Sequence, residues 1–271
     1  MRLNTQTIIG LIIALVTLIG YFLNTSTNPV TGEKQHVNMS AEQEIALGVQ
    51  AAPQMEQQYG GESTDARATA AVQQVGQQVV RANGLDQKTK YQFKFHLLAD
   101  DQTINAFALP GGQVFITKGL LDNLTSEGQL AGVLAHEIGH VIARHSAEQV
   151  AQSQLTQGLS GAAAIASYDP NNPGSSVARA AAAAMIAKLV GLRFSRNDEL
   201  EADNFAVKFT PAAGYNPAAM LQVMQMLDRK AGGSNPPEFL STHPNPGNRI
   251  EELQKDIQQD YPQGVPGGLK S

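Results

Sequence analysis

The chain of 271 residues carries a formal net charge of −5 at pH 7 and contains no cysteine. The absence of cysteine excludes a lipoprotein anchor, a thiol nucleophile, a disulfide scaffold and a thiolate zinc site. The negative charge, with no concentrated tract of lysine and arginine, argues against nucleic acid as the main partner.

An almost wholly apolar and uncharged segment, Thr7 to Leu23, comes first in the chain. Extended to Thr5 it would be about 28 Å long as a helix, close to a hydrocarbon core of about 30 Å, so we predict one N-terminal transmembrane helix. Because Arg2 precedes it and the next basic residue is Lys34, the N-terminus is expected in the cytoplasm and the remaining chain on the outer, extracytoplasmic side. The alternative is a signal peptide whose cleavage releases a secreted protein.

The rest of the chain is long enough for one domain with a sizeable hydrophobic core. We expect an N-terminal membrane anchor with the start of a linker (1–27), one domain (28–258), and a tail rich in proline and glycine that is predicted to be disordered (259–271). Within these limits the predicted linker is 24–37, and helices are predicted at 40–59, 65–82 and 217–230.

Strand patterns lie in the middle of the chain. Residues Asn105 to Thr117 are predicted to form two short strands joined by a Pro110-Gly111-Gly112 turn. Gln92 to Leu98 alternates as well and is expected to lie beside the strand at Asn105 to Leu109.

The sequence HEIGH at residues 136–140 lies in a helical pattern of apolar residues. Because residues four apart lie one above the other on a helix, His136 and His140 can point two ring nitrogens at one ion, which Glu137 flanks. Bound zinc lowers the pKa of water to about 7, and a carboxylate beside it can take the proton and pass it to a leaving amine. The motif therefore predicts peptide-bond hydrolysis, unless it is a coincidental match on an ordinary core helix.

A catalytic zinc ion needs a third protein ligand and an open position for water. The metzincin pattern would require glycine and histidine where this chain has Ala143 and Ser146. His145 is one residue short, and a continuing helix would turn it away from the shared face, so we expect it to be solvated. The inverted order H-x-x-E-H is absent as well. These exclusions leave a downstream glutamate as the third ligand.

An acidic segment, SRNDELEAD at residues 195–203, supplies that glutamate and opens a second helical pattern. Glu199 and Asp203 stand four apart, so Glu199 can bind zinc while Asp203 accepts a hydrogen bond from the other ring nitrogen of a ligand histidine. Glu201 would point elsewhere but remains an alternative ligand. In a third interpretation the segment is only an acidic first turn that complements the helix dipole.

Two regions after the first metal helix allow more than one interpretation. Residues 156–187, poor in large side chains, can form a lid over the cleft or a plain helical hairpin. His243 and Arg249 lie in or beside a proline-flanked loop. From there His243 can reach the site opposite the general base, whereas the alternatives are a turn-capping histidine and a surface arginine.

Three blocks, HEIGH, SRNDELEAD and STHP at 241–244 with the following Arg249-Ile250, together resemble a known family. It is that of the membrane-linked zinc metallopeptidases, which includes HtpX, the CAAX prenyl proteases and the envelope proteases BepA and LoiP. Weaker similarity in NPVTG (28–32), EIALG (44–48) and NAFALPGG (105–112) extends the resemblance over roughly residues 28 to 258.

The resemblance implies an α+β, mainly helical, zincin-like metallopeptidase fold with a small sheet beside the HExxH helix. It implies Glu199 as third ligand, and for His243 either oxyanion stabilisation or reversible occupation of the fourth zinc position. Arg249 would anchor its loop through a carboxylate. An edge strand would pair with extended substrate; its residues here are Asn105, Ala106, Phe107, Ala108 and Leu109.

The expected activity is that of a membrane-anchored endopeptidase with one zinc ion per chain, acting on unfolded or misassembled envelope proteins. One alternative is a chaperone-like protein that binds envelope proteins, with latent or secondary proteolysis. In another, the two histidines and one carboxylate hold mononuclear iron, although the glutamate directly after the first histidine argues against that.

Overall fold

The computed structural model describes residues 5–166, 193–233, 236–244 and 249–271. Helices dominate the described residues, and both sheets are small. The first elements are α1 (Thr5–Leu23), β1 (Thr25–Thr27), β2 (Lys34–His36), α2 (Ala41–Gln58), α3 (Ala66–Ala82) and the short α4 (Leu85–Lys88). They are followed by β3 (Lys94–Leu98), β4 (Ala106–Leu109), β5 (Gln113–Thr117), α5 (Lys118–Leu121), α6 (Glu127–Ile142) and α7 (His145–Ala166). The last are α8 (Arg196–Ala212), α9 (Ala218–Ala231), α10 (Phe239–Thr242) and α11 (Arg249–Asp260).

The three predicted helices correspond to α2, α3 and α9 within one residue at each end. The region predicted as a lid or hairpin is described only at its start, where α7 continues to Ala166, and residues 167–192 lie outside the described part of the chain.

The larger sheet has the strand order β3-β5-β4. β4 and β5 form the predicted antiparallel hairpin, with Phe107 opposite Phe115. β3 was expected beside β4, but it pairs in parallel with the other side of β5, with Phe95 opposite Val114. Every residue of β5 is buried, which suits a central strand covered on both faces.

The helix that carries HEIGH, α6, lies at the centre of the molecule and packs against α3, α8, α9 and the sheet. Every residue from Gly128 to Ile142 is buried. Gly139 allows the close approach of α8, because a Cβ atom there would lie 3.0 Å from the Cβ of Phe205 and 3.2 Å from the Cα of Ala202. The two helices that supply the predicted metal ligands are thus in direct contact.

The predicted transmembrane helix is not confirmed. In the described ranges, no helix has both the length and the apolar character needed to cross a membrane. α1 begins with the polar residues Thr5, Gln6 and Thr7, so only 16 residues from Ile8 to Leu23 form its apolar part.

The segment predicted as a linker, 24–37, is instead ordered against the end of α6. β1 and β2 pair in it. The side-chain amide of Asn28 donates to the carbonyl oxygen of Ile142 at 2.7 Å, and that of Gln35 donates to the carbonyl oxygen of Ala143. These bonds satisfy two of the carbonyl groups that the end of a helix leaves without an internal partner.

The C-terminal tail, predicted to be disordered, also has defined partners. Its helix α11 continues to Asp260, and Lys270 forms an isolated bridge with Tyr215. Asn216 donates its backbone N–H to the carbonyl oxygen of Lys270 at 2.8 Å, and Gly128 donates to that of Ser271 at 3.0 Å. Proline and glycine prevent a regular helix in the tail, but its backbone bonds the first turn of α6, where helical N–H groups lack internal partners.

Candidate metal centre

Two histidines and a glutamate project from α6 into a buried site. Ser126 caps this helix by accepting a hydrogen bond from the backbone of Gln129. The Nε2 atoms of His136 and His140, one turn apart, lie 3.1 Å from each other. Both residues and Glu137 have an exposed fraction of at most 1%. The helical spacing therefore brings the two ring nitrogens together as the motif predicts.

The third predicted ligand comes from the first turn of α8, where Ser195 and Asp198 form a capping box. Glu199 is fully buried; its Oε1 lies 3.5 Å from Nε2 of His140 and its Oε2 3.6 Å from Nε2 of His136. Glu201 instead faces His145, 3.2 Å away. Of the two competing glutamates, Glu199 is the one that the fold brings to the histidines.

A third histidine completes the cluster. His243 follows α10, and its Nδ1 lies 3.4 Å from Nε2 of His136 and 3.0 Å from Oε1 of Glu199. Its other nitrogen, Nε2, lies 3.6 Å from Oε1 of Glu137. Phe239 stacks on its ring with centroids 4.4 Å apart. His243 thus faces the metal ligands with one nitrogen and the predicted general base with the other.

The spacing of the four groups fits a metal ion. One atom each from His136, His140, Glu199 and His243 lies within 4.8 Å of every other, and all four residues are buried. Ligands about 2.05 Å from a tetrahedral zinc ion are about 3.3 Å from each other, and the atoms measured above are 3.0–3.6 Å apart. Nitrogen lone pairs at such distances repel each other unless a proton or a cation lies between them. The donor set therefore fits zinc.

Two further residues, Asp203 and Arg249, lie beside the ligands. Oδ1 of Asp203 lies 3.0 Å from Nδ1 of His136, the nitrogen that faces away from the cluster. Arg249 donates from Nε and Nη2 to the two oxygens of Asp203, at 2.6 Å each, and its Nη1 lies 2.6 Å from Oε2 of Glu199. Arg249 is fully buried, so it is not a surface arginine. It holds the two buried carboxylates of α8, those of Glu199 and Asp203, and Oε1 of Glu199 remains directed toward the histidines.

Burial and charge shift the ionisation of these groups in opposite directions. Burial raises the pKa of the Glu137 carboxyl above its usual range. Burial would also raise the pKa of Asp203, but the charge of Arg249 and the contact with His136 outweigh it and lower that pKa to about 2. The pKa of His140 is lowered, chiefly by burial, which favours the neutral imidazole that binds metals. Glu137 is thus the carboxyl of the site with the greatest affinity for a proton.

The predicted substrate strand lies at the edge of the sheet and packs against α6. All four residues of β4, Ala106 to Leu109, are buried. Asn105 is buried too, and its amide donates to the hydroxyl of Tyr59 at 3.2 Å and to Glu238 at 3.1 Å. The loop with His243 reaches the same edge, because Phe239 donates its N–H to the carbonyl oxygen of Ile104.

Two residues beside the metal cluster, Phe194 and His145, were not predicted from the sequence. Phe194 stacks on the ring of His140, with centroids 3.9 Å apart and an angle of 24° between the planes. His145, expected to be solvated, is only 2% exposed, and its Nδ1 lies 2.8 Å from Nδ1 of His140. That expectation was wrong because α6 ends at Ile142 and Arg144 takes a left-handed conformation with φ 61°, which redirects His145. No spacing in the sequence signals such a turn at a non-glycine residue.

Comparison with known proteins gives related peptidases. The chain is 34% identical over 184 residues to the beta-barrel assembly-enhancing protease of Escherichia coli, an alignment that covers 65% of this chain and 37% of the relative. It is 36% identical over 192 residues to a putative beta-barrel assembly-enhancing protease of Vibrio cholerae, covering 67% and 37%. It is 29% identical over 238 residues to the mitochondrial metalloendopeptidase OMA1 of Schizosaccharomyces pombe, covering 87% and 67%.

The chain spans well under half the length of the two bacterial relatives. The model of peptidase family M48 matches residues 66–257, which include His136, Glu137, His140, Glu199, Asp203, His243 and Arg249, and peptidases of this family are zinc enzymes. The central HExxH helix, the glutamate of α8 and the matching family model agree: this chain belongs to peptidase family M48.

Proposed function

We propose that the protein is a zinc-dependent endopeptidase that cleaves unfolded or misassembled proteins of a cell envelope. The observation that carries the proposal is the buried set of His136, His140 and Glu199, with Glu137 directly beside it. Neither carboxylate oxygen of Glu137 has a hydrogen-bond partner in the described part of the chain. A buried carboxylate that no protein group satisfies is available to a reacting molecule.

His136, His140 and Glu199 would hold the zinc ion. Bound zinc supplies a Lewis acid that polarises the scissile carbonyl and makes water acidic at neutral pH. Glu137 takes the proton of the attacking water, and then delivers it to the nitrogen of the leaving amine. Because burial raises its pKa, the carboxyl of Glu137 holds that proton more readily than an exposed glutamate would. Asp203 and Arg249 orient His136 and Glu199.

His243 has two proposed roles, and the distances favour one of them. With Nδ1 at 3.0–3.4 Å from Glu199 and His136, its ring occupies the fourth corner of the ligand set. An oxyanion donor would instead leave that corner open to water and substrate. We infer that His243 takes the fourth position in a latent state and that its loop must move before water and peptide enter.

β4 is the proposed substrate-binding strand, comprising Asn105, Ala106, Phe107, Ala108 and Leu109. An extended peptide that adds to a sheet edge binds through main-chain hydrogen bonds and needs little sequence specificity, which suits unfolded substrates. Phe239, which precedes His243 in the chain, already donates its backbone N–H to the carbonyl oxygen of Ile104 at this edge. Movement of the loop with His243 would therefore free both the fourth ligand position and the start of the strand.

Substrate class and location are proposed on the similarity to relatives. The bacterial relatives are named for beta-barrel assembly and another is a mitochondrial metalloendopeptidase. These names support an envelope or membrane location for this chain, with envelope proteins as substrates. The alternative of a chaperone-like binder with latent proteolysis is favoured by one observation, the presence of His243 in the ligand set.

The first experiment compares cleavage of casein by the full chain and by Glu137→Gln, with zinc content measured on the same samples. We expect zinc in both proteins and cleavage by the wild type alone. The matched control is Glu148→Gln, which changes a half-buried glutamate of α7 and should retain activity. Zinc without cleavage in the wild type would favour the binding role, and absence of zinc would contradict the proposal.

The second experiment tests latency with His243→Ala. If His243 holds the fourth position, removing it should increase casein cleavage several-fold while one zinc ion per chain remains bound. If it stabilises the oxyanion, the same change should lower kcat by a factor of about 10² to 10³. His36→Ala, which removes a half-buried histidine of β2, is the control and should change neither quantity.

A further inference from the structure

A chain of three side chains runs from the metal cluster toward the surface. His140 faces the cluster with Nε2 and meets Nδ1 of His145 with its own Nδ1, at 2.8 Å. The other nitrogen of His145, Nε2, lies 3.2 Å from Oε2 of Glu201. His145 is 2% exposed, whereas the side chain of Glu201 is 29% exposed. The contacts thus connect a metal ligand to a half-exposed carboxylate through a buried imidazole.

The protons of this chain can be assigned from chemistry. A histidine that binds a metal through Nε2 uses that lone pair, so its neutral ring carries the proton on Nδ1. The Nδ1–H of His140 therefore donates to Nδ1 of His145, which must be unprotonated. The proton of His145 is then on Nε2 and donates to Glu201, an acceptor when ionised. Each of the four nitrogens has one role, and the two bonds run in the same direction.

The other ligand histidine, His136, also has a carboxylate on its outer side. The outer nitrogen of His136 faces Asp203, whose carboxylate Arg249 holds. Histidines that bind metals usually donate their second N–H to a carboxylate or carbonyl group, and removal of that partner weakens metal binding by about 10 to 100-fold. For His140 the carboxylate is Glu201, one residue further away and reached through His145.

We propose that His145 and Glu201 are positioning residues of the zinc site: they set the tautomer and the rotation of the His140 ring. Phe194, stacked on that ring, fixes its plane but does not distinguish the two orientations that a 180° flip about the Cβ–Cγ bond interchanges. The hydrogen bond to His145 supplies that remaining constraint. Glu201, considered above as a zinc ligand, acts on zinc through two imidazole rings. The proposal rests on the proposed zinc site but not on the identity of the substrate.

The test measures zinc affinity by competition with a chelator, independently of cleavage, in the full chain. His145→Leu keeps the apolar bulk but removes the acceptor, and zinc affinity should fall by about 10 to 100-fold. His145→Asn places an amide oxygen near the position of Nδ1 and should recover most of that loss. Glu201→Gln should weaken zinc binding by less than His145→Leu does. Its matched control is Glu148→Gln, because Glu148 lines a cavity of about 540 Å³ together with His145.

A purely structural role gives a different result. If the role is purely structural, His145→Leu and His145→Asn should lower the Tm of the metal-free protein equally, and His145→Asn should bind zinc no more tightly than His145→Leu does. That result would overturn the proposal. Unchanged zinc affinity in a folded His145→Leu protein would overturn it as well. Nitrogen NMR of labelled histidines in the zinc-loaded wild type should place the proton of His145 on Nε2, and a proton on Nδ1 would contradict the assignment. If the wild type binds zinc but cleaves nothing, the proposed activity fails while this result still stands.

Discussion

The side chain of Asn28 donates a 2.7 Å hydrogen bond to the carbonyl oxygen of Ile142, at the end of the helix that carries both metal histidines. Asn28 is 1% exposed, and its own oxygen accepts from the backbone of Val30 and Thr31. A segment more than 100 residues earlier in the chain thus caps the metal helix.

Asn28→Ala should therefore destabilise the protein. The substitution leaves a buried carbonyl group without a partner, at a cost of about 1–3 kcal/mol. For a domain of this size, at about 2–4 °C per kcal/mol, the expected decrease in Tm is about 2–12 °C in a thermal unfolding experiment. Asn38→Ala removes an exposed hydrogen bond to Gln154 and is the control. Equal Tm values for the two variants would contradict the capping role.

Arg249 offers a second test of stability. It is fully buried and contacts Asp203 and Glu199. Arg249→Met leaves two buried carboxylates without a cation, which should cost about 3–5 kcal/mol of unfolding free energy. Arg249→Lys keeps the charge but not the forked geometry, so it should recover only part of that loss. Urea unfolding of the metal-free protein measures both, and a Lys variant as stable as the wild type would show that geometry is unimportant here.

Gly48 provides a test of packing between α2 and the turn of the β4–β5 hairpin. A Cβ atom there would lie 2.1 Å from the carbonyl oxygen of Pro110, so the backbone must shift to accept any side chain. Alanine favours a helix over glycine by about 1 kcal/mol, so a free helix would be stabilised by Gly48→Ala. We expect the opposite sign in thermal unfolding. Gly20→Ala in α1, where nothing lies within 4 Å of the new atom, is the matched control and should not destabilise.

Glu127 predicts a pH dependence of stability. The hydroxyl of Tyr215 donates to it at 2.6 Å and lowers its pKa; partial burial opposes the shift and Lys270 adds to it. Because the folded pKa is below the ordinary 4.5, the stabilisation is complete above that pH and is lost as pH falls through the lowered pKa. The difference in unfolding free energy between wild type and Glu127→Gln should therefore be constant near neutral pH and shrink below about pH 4.5. A difference that stays constant down to pH 3, or one unaffected by Tyr215→Phe, would contradict this assignment.

Local patterns in the sequence predicted part of the structure well. The spacing of His136 and His140 depends only on the geometry of one helix, and the turn at Pro110 depends on only a few residues. The predicted helices α2, α3 and α9 follow from their own periodicity for the same reason. What one helix or one turn determines can be predicted without knowledge of its neighbours.

Features that depend on distant contacts could not be predicted in this way. The sequence of residues 24–37 predicts an unstructured linker, because its order depends on the hydrogen bond from Asn28 to the carbonyl group of Ile142 at the end of α6. The sequence predicts a solvated His145, because the left-handed conformation of Arg144 that directs His145 inward has no signal in the sequence. For Glu199 and Glu201, helical spacing predicts Glu199 as the partner of Asp203, whereas the position of Glu199 beside the histidines depends on the contact between α6 and α8.

The net charge of the buried site affects which metal ion it can bind. Four charged side chains in it are buried to at least 99%: Glu137, Glu199, Asp203 and Arg249. When Glu137 is ionised, as it must be to accept a proton, three carboxylates and one guanidinium sum to −2, and neutral histidines add nothing. Charge in a protein interior is costly unless it is balanced. A divalent cation makes the site electroneutral, whereas a monovalent cation leaves one negative charge uncompensated. Electroneutrality thus gives the site a preference for doubly charged ions, whatever the geometry of the ligands.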